Sequence, residues 1–190
     1  MLEFERVSFS YKKNTPVLRD LSFRLKDGGF LTVMGESGCG KSTLLSLAAG
    51  LLTPTDGRVL CTAKRISCAF QEPRLFPWLT VAQNLSAVLP KPDPRAIAEV
   101  LRTVELTDSA ALYPAELSGG MKSRVSLARA LLYGGDLFLL DEPFSALDTD
   151  LRRRLSDRLC TKWKQSGAAV LLVTHQQEDA ERLGGRVLKL

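Results

Sequence analysis

The chain contains a single histidine, and no apolar run approaches the ~18–20 residues needed to span a bilayer. Its longest apolar stretch, from Leu44 to Leu52, is broken by Ser46 and Gly50. The start, Met1-Leu2-Glu3-Phe4-Glu5, lacks the basic-then-apolar pattern of a secretory leader. The expectation is therefore a cytoplasmic chain, peripheral on the inner face of the cell membrane if it meets a membrane at all. Cysteine is scarce: Cys39, Cys61, Cys68 and Cys160 form no CxxC pair and have no neighbouring histidine. That excludes a structural zinc site and, in a cytoplasmic chain, argues against disulfides.

Strong charge of one sign is also missing; the net charge is +5. Arg152-Arg153-Arg154 with Arg158 would suit nucleic acid, but Leu151, Leu155 and Leu159 recur every four residues beneath them. That spacing makes the arginines the wet face of an amphipathic helix, so nucleic acid is not an expected partner. With 190 residues, 45% apolar and 25% charged, the chain suits one globular domain with a full core.

Alternation in Leu2, Phe4, Val7 and Phe9, with one break in register, predicts strands at the start. Lys12-Lys13-Asn14-Thr15-Pro16 reads as a turn, and Val17-Leu18 with Leu21, Phe23 and Leu25 as the returning strand. Asp27-Gly28-Gly29 leads into the buried strand Phe30–Met34, followed by a helix from about Lys41 to Ala49 that Gly50 caps. Further strands are expected at Arg58–Cys61, Ile66–Phe70, Leu137–Leu140 and Ala169–Thr174, and helices at Gly120–Leu132 and Leu151–Lys164. From Pro73 to Pro94 five prolines (73, 77, 90, 92 and 94) open a stretch, running to Leu117, of short helical patterns such as Ala96–Val104. The fold class is α/β: a P-loop NTPase core with a mostly parallel sheet and helices on both faces, plus N-terminal antiparallel strands and an inserted helical lobe. Within the single domain 1–190, residues 1–72 and 134–190 form the core and 73–133 the lobe.

Gly35-Glu36-Ser37-Gly38-Cys39-Gly40-Lys41-Ser42 fits G-x4-G-K-[ST] between a predicted strand and a predicted helix. Such a loop turns its backbone N–H groups toward a phosphate chain, with a helix dipole behind it. Lys41 supplies charge to the β- and γ-phosphates, and Ser42 a hydroxyl ligand for Mg²⁺; Thr43 follows in the cradle. Leu137-Phe138-Leu139-Leu140-Asp141-Glu142 is an apolar strand ending in two carboxylates, which should face the cradle from the carboxyl end of the sheet. Asp141 can hold the Mg²⁺ shell, and Glu142 can reach the attacking water.

Leu117-Ser118-Gly119-Gly120-Met121-Lys122-Ser123-Arg124 resembles the LSGGQ signature of the ABC ATPases. The other marks of that family follow in order: Gln71 resembles the Q-loop glutamine, Ser145-Ala146-Leu147-Asp148 the D-loop, His175 the switch histidine, and Tyr11 the aromatic under adenine. The stretch Phe70-Gln71-Glu72-Pro73-Arg74-Leu75-Phe76-Pro77-Trp78-Leu79-Thr80-Val81 is similar to the nitrate, sulfonate and taurine importer ATPases. Alternatively, Phe76, Pro77 and Trp78 pack the inserted lobe.

The resemblance implies ATP and Mg²⁺ as cofactors, with Ser42, Gln71 and Asp141 around the metal. Glu142, His175 and Gln71 form the catalytic set. Tyr11, Gly35, Ser37, Gly38, Cys39, Gly40, Lys41, Ser42 and Thr43 bind nucleotide. Ser118, Gly119, Gly120 and Asp148 bind the nucleotide of a second ATPase subunit, either another copy of this chain or a paralogue. The implied activity is ATP hydrolysis driving an importer of a small anionic or organic solute, with permease subunits docked on the lobe and a solute-binding protein beyond. The alternative is a soluble ABC ATPase in a non-transport process. The sequence departs from the family in Met121 and Ser123, in Gln176 where an acid often follows the histidine, and in a short stretch between Gly57 and Gln71. The chain also stops soon after the switch region, which suggests a minimal subunit.

Overall fold

Two all-apolar strands set the centre of the molecule. In the computed structural model, which describes residues 1–12 and 15–190, β6 (Leu137–Asp141) and β7 (Ala169–Val173) are buried at every position. A strand buried on both faces belongs inside a parallel sheet with cover on each side. They pair in parallel with each other, and the five-stranded sheet runs β5-β6-β7-β3-β8. Its other members are β3 (Phe30–Met34), β5 (Ile66–Ala69) and the edge strand β8 (Arg186–Lys189).

Side chains two apart go to the same face. Leu137 and Leu139, Leu171 and Val173, and Leu31 and Val33 pack with α1 (Lys41–Ala48) and an antiparallel sheet. That second sheet has the order β2-β1-β4, from β1 (Leu2–Lys12), β2 (Thr15–Leu25) and β4 (Asp56–Cys61). Phe138, Leu140, Val170 and Leu172 face the opposite way, onto α4 (Gly119–Tyr133), α5 (Thr149–Ser166) and α6 (Gln177–Leu183). The expected α/β class is thus what the chain adopts, with helices on both faces and the antiparallel strands folded over α1.

The break in register expected in the first strand is a bulge: pairing slips between Phe4 and Val7, and Arg6 has φ 47°. A matching irregularity at Asp20, φ 45°, makes Val17–Leu25 part of one continuous bent strand. The turn expected around Lys13 and Asn14 falls on residues outside those described. Gly50, with φ 71°, follows α1 as its cap.

A third apolar cluster joins α2 (Val81–Ser86), α3 (Pro94–Thr103) and one side of α4, through Val81, Leu85, Val100, Leu101, Val125 and Ala128. Helix α4 feeds two clusters, because Leu127 and Ala130 point into the sheet side instead. Asn84 is fully buried and holds the preceding loop, donating to the carbonyls of Phe76, Leu79 and Thr80 and accepting from the Phe76 N–H. Trp78 and Phe76 consequently stand out from the lobe, 71% and 41% exposed, and do not pack it.

The arginines of α5 lie on its wet face, as expected, with Arg153, Arg154 and Arg158 exposed and Leu155 and Leu159 buried, but they also make specific contacts. Arg154 and Arg158 reach Glu105 at 2.9 and 3.5 Å, and Arg158 donates to the Thr103 carbonyl at the end of α3 at 2.7 Å. Arg152 donates to the carbonyls of Phe144 and Leu147. They are partly wet, but they tie the lobe and the 144–147 turn to α5.

Candidate active site

The turn from β3 into α1 is closed by its own lysine. Lys41, 8% exposed, donates from Nζ to the carbonyls of Gly35 at 2.8 Å and Glu36 at 2.7 Å. Gly40 sits at φ 102°, where a Cβ would come within 2.9 Å of Val17 Cγ1. Only glycine lets the loop cross β2 so closely and still enter the helix. The first-turn N–H groups of α1 open onto a cleft of about 270 Å³ lined by Tyr11, Ser37, Gly38, Lys41, Ser42 and Thr43 on one side. Gln71, Asp141 and Glu142 line the other. The Tyr11 hydroxyl lies 3.2 Å from Thr43 Oγ1, while the ring is 65% exposed beside the loop and edge-on to Phe9.

Asp141 ends β6 and is 4% exposed. Burial pushes its carboxyl above the usual carboxylate range; a hydrogen bond from Ser42 opposes that, neighbouring Glu142 adds to it, and the Lys41 charge pulls it back. Glu142 follows with φ 47°, a conformation that costs a non-glycine residue on the order of 1 kcal/mol. Its N–H donates to Val173 on the next strand. The side chain leaves the strand direction and meets the ring of His175, Oε1 lying 3.0 Å from Nδ1.

His175 lines a separate hollow with Gly35, Glu36 and Cys39 of the loop and is absent from the cleft lining, which it meets through its contact with Glu142. Ser118, Gly119, Gly120 and Asp148 are not in the cleft lining at all. Ser118 and Asp148 cap α4 and α5, accepting from the N–H groups of Met121 and Leu151. The two caps adjoin: a Cβ on Gly120 would stand 2.6 Å from the Ala146 carbonyl oxygen. Gly119 faces open space. The site splits into a cleft and a second, outward-facing surface.

Sequence reasoning missed three residues that hold these parts. Arg129 on α4 donates to the carbonyls of Pro73 and Arg74, just beyond Gln71, at 2.6 and 3.1 Å. Arg152 holds the 144–147 turn from behind. Gln176 contacts His175 Nε2 at 2.9 Å. Arginine on carbonyls leaves no charge pattern in a sequence; Gln176 was visible only as a departure from the acid that often follows the histidine.

A phosphate loop, a carboxylate pair at the end of the adjacent strand and a separate glycine-led helix start together define an ATP-binding cassette ATPase. The chain belongs to the ABC transporter family, whose family model matches residues 18–145. It is 44% identical over 183 residues to the aliphatic sulfonates import ATP-binding protein SsuB of Bacillus licheniformis, across 91% of this chain and 72% of that protein. To the taurine import ATP-binding protein TauB of Pelagibacter ubique it is 41% identical over 183 residues, across 90% and 69%. Among solved structures, the ATP-binding cassette MJ0796, dimeric and bound to ADP and Pi after hydrolysis, superposes with a TM-score of 0.91 at 29% identity. That match covers 100% of this chain and 94% of the other. No helix among the described residues is long and apolar enough to cross a membrane.

Proposed function

We propose that this chain is the ATP-hydrolysing subunit of an importer for a small organic anion of the sulfonate kind, working as one half of a nucleotide-clamping dimer. The cleft carries this reading, because it gathers Tyr11, the loop residues Ser37, Gly38 and Gly40 to Thr43, and Gln71, Asp141 and Glu142 around space for a polyphosphate. Tyr11 stacks on the base, Lys41 holds the β- and γ-phosphates, and Gly35, Ser37, Gly38, Cys39, Gly40 and Thr43 complete the cradle. Ser42, Asp141 and Gln71 present hard oxygen donors on the phosphate side of the cleft, the set that suits Mg²⁺ with phosphate oxygens and water as its remaining ligands. When bound, that ion neutralises charge on the β- and γ-phosphates. Glu142 accepts the proton of the water whose oxygen bonds to the γ-phosphorus as the β–γ bridging bond breaks, and ADP departs with that electron pair. His175 contacts the γ-phosphate.

Ser118, Gly119 and Gly120, with Asp148, serve the nucleotide of the other subunit; their separation from the cleft is what supports this role. We assign 73–133 to a lobe that docks the permease, and 1–72 with 134–190 to the nucleotide core. The exposed Phe76 and Trp78, and an apolar groove of about 400 Å³ between α2 and α3, suit a permease helix. The subunit thus works at the inner face of the cell membrane, with a solute-binding protein across it. Affinity purification of the tagged chain from membranes tests the reading: a polytopic membrane protein should accompany it, and recovery with soluble factors alone would contradict an importer.

A further inference from the structure

We propose that Gln176 is a positioning residue that holds His175 as its Nδ1–H tautomer, in a resting pair with Glu142. The inference rests on the reading above in one respect only, that His175 meets the γ-phosphate.

The ring has a contact at each nitrogen. Nδ1 lies 3.0 Å from Glu142 Oε1, and Nε2 lies 2.9 Å from the Gln176 amide nitrogen. With its amide nitrogen turned to the ring, Gln176 is the donor and ring Nε2 the acceptor, because an amide nitrogen has no lone pair to offer. The proton then sits on Nδ1, which is what the carboxylate at the other nitrogen requires. Two independent contacts select one tautomer, and it is the less populated one in free histidine.

The placement of Gln176 is built into the chain. Its backbone N–H donates to Thr174 Oγ1 at 3.1 Å, and that hydroxyl donates to the buried Asp179 at 3.0 Å. These bonds fix the turn from β7 into α6. Gln176 is the N-cap of α6, yet its side chain makes no capping bond. Serine, threonine or aspartate there would turn back onto the helix; the longer glutamine reaches the histidine instead.

This arrangement withholds the histidine from a nucleotide. With its lone pair outward and capped by Gln176, Nε2 cannot donate to a phosphate oxygen. Glu142 Oε1 already accepts from Nδ1. Contact with a γ-phosphate therefore requires the ring to leave Gln176 and present an N–H, at the expense of one neutral hydrogen bond.

The chain has a single histidine, so ¹⁵N-histidine labelling gives two ring signals that need no assignment. The wild-type protein should show a protonated Nδ1 and an unprotonated Nε2. Gln176→Met, similar in length but without a donor, should move the population toward Nε2–H. Gln176→Glu places a second carboxylate on the ring and should protonate both nitrogens. A wild-type ring that is Nε2–H or doubly protonated at neutral pH, or a Met variant with wild-type populations, overturns the proposal. In the same samples the Met variant should raise the kcat of the uncoupled ATPase by ~2–10-fold, the worth of one net hydrogen bond, and leave KM for ATP unchanged. A lower kcat overturns the resting role. A wild type with the expected tautomer but no ATP hydrolysis would strike the proposed function and leave the clamp standing.

Discussion

Lys41 and Glu142 are each committed inside the protein as well as facing the cleft. The lysine ammonium donates to two carbonyls of its own loop, which fixes the loop and supplies the cleft with positive charge. Lys41→Ala should therefore weaken ATP binding itself, by ~10-fold or more in Kd, since a charge-assisted contact contributes about 1.5–3 kcal/mol. An unchanged affinity by titration calorimetry would count against the cradle. Glu142→Gln keeps size and hydrogen bonding but removes the proposed base: binding should persist while turnover falls by ~10²–10⁴, and single-turnover hydrolysis reads the difference. At this scale the sequence was most informative, because the loop, the acidic pair and Gln71 are short local patterns whose spacing carries their chemistry. Arg129 and Gln176 were not visible in the same way, since one binds carbonyls more than fifty positions away. The other acts through a ring whose direction only the fold supplies.

Between elements, the lobe is joined to the core by charge laid on carbonyls and one carboxylate. Glu105 stands just past α3 at φ 55°, between Arg154 and Arg158, while Arg124 donates to the Val104 and Glu105 carbonyls. The hydrogen bond from Arg154 holds the Glu105 carboxyl below its ordinary range; partial burial opposes this, and the charges of Arg154, Arg158 and Arg124 add to it. A depressed carboxyl contributes stability in full above its unfolded value, about 4.3, and loses that contribution as pH falls through the folded value. Glu105→Gln should lower Tm by ~1–4 °C at pH 7, and the gap to wild type should close in acid below pH ~4. A gap that persists or widens there, by scanning calorimetry, would contradict the clasp. The leucine spacing of α5 revealed its apolar face correctly but not what lay opposite its arginines. Periodicity reports burial, whereas a partner fifty residues away depends on topology. For the same reason α2, α6 and β8 escaped notice: they are short, and the β8 pattern is mostly exposed.

Across the whole molecule, the parallel core was legible because β3, β6 and β7 are apolar on both faces. The strand order β5-β6-β7-β3-β8 was not, since it is decided by pairing between distant segments. That order brings Asp141 and Glu142 next to the 35–43 loop and leaves Ser118–Gly120 on another surface. A Cβ on Gly120 would press on the Ala146 carbonyl, so Gly120→Ala should separate the two helix caps and weaken subunit association, while ATP binding to the isolated chain stays within about twofold. Loss of ATP binding in that variant would place the signature within its own cleft, against the division described. If cleft and signature meet only across two subunits, light scattering of Glu142→Gln with and without ATP–Mg²⁺ reads it most directly. A monomer alone and a dimer with nucleotide are expected; a chain that stays monomeric at saturating ATP–Mg²⁺ would show that the two surfaces do not meet in this way.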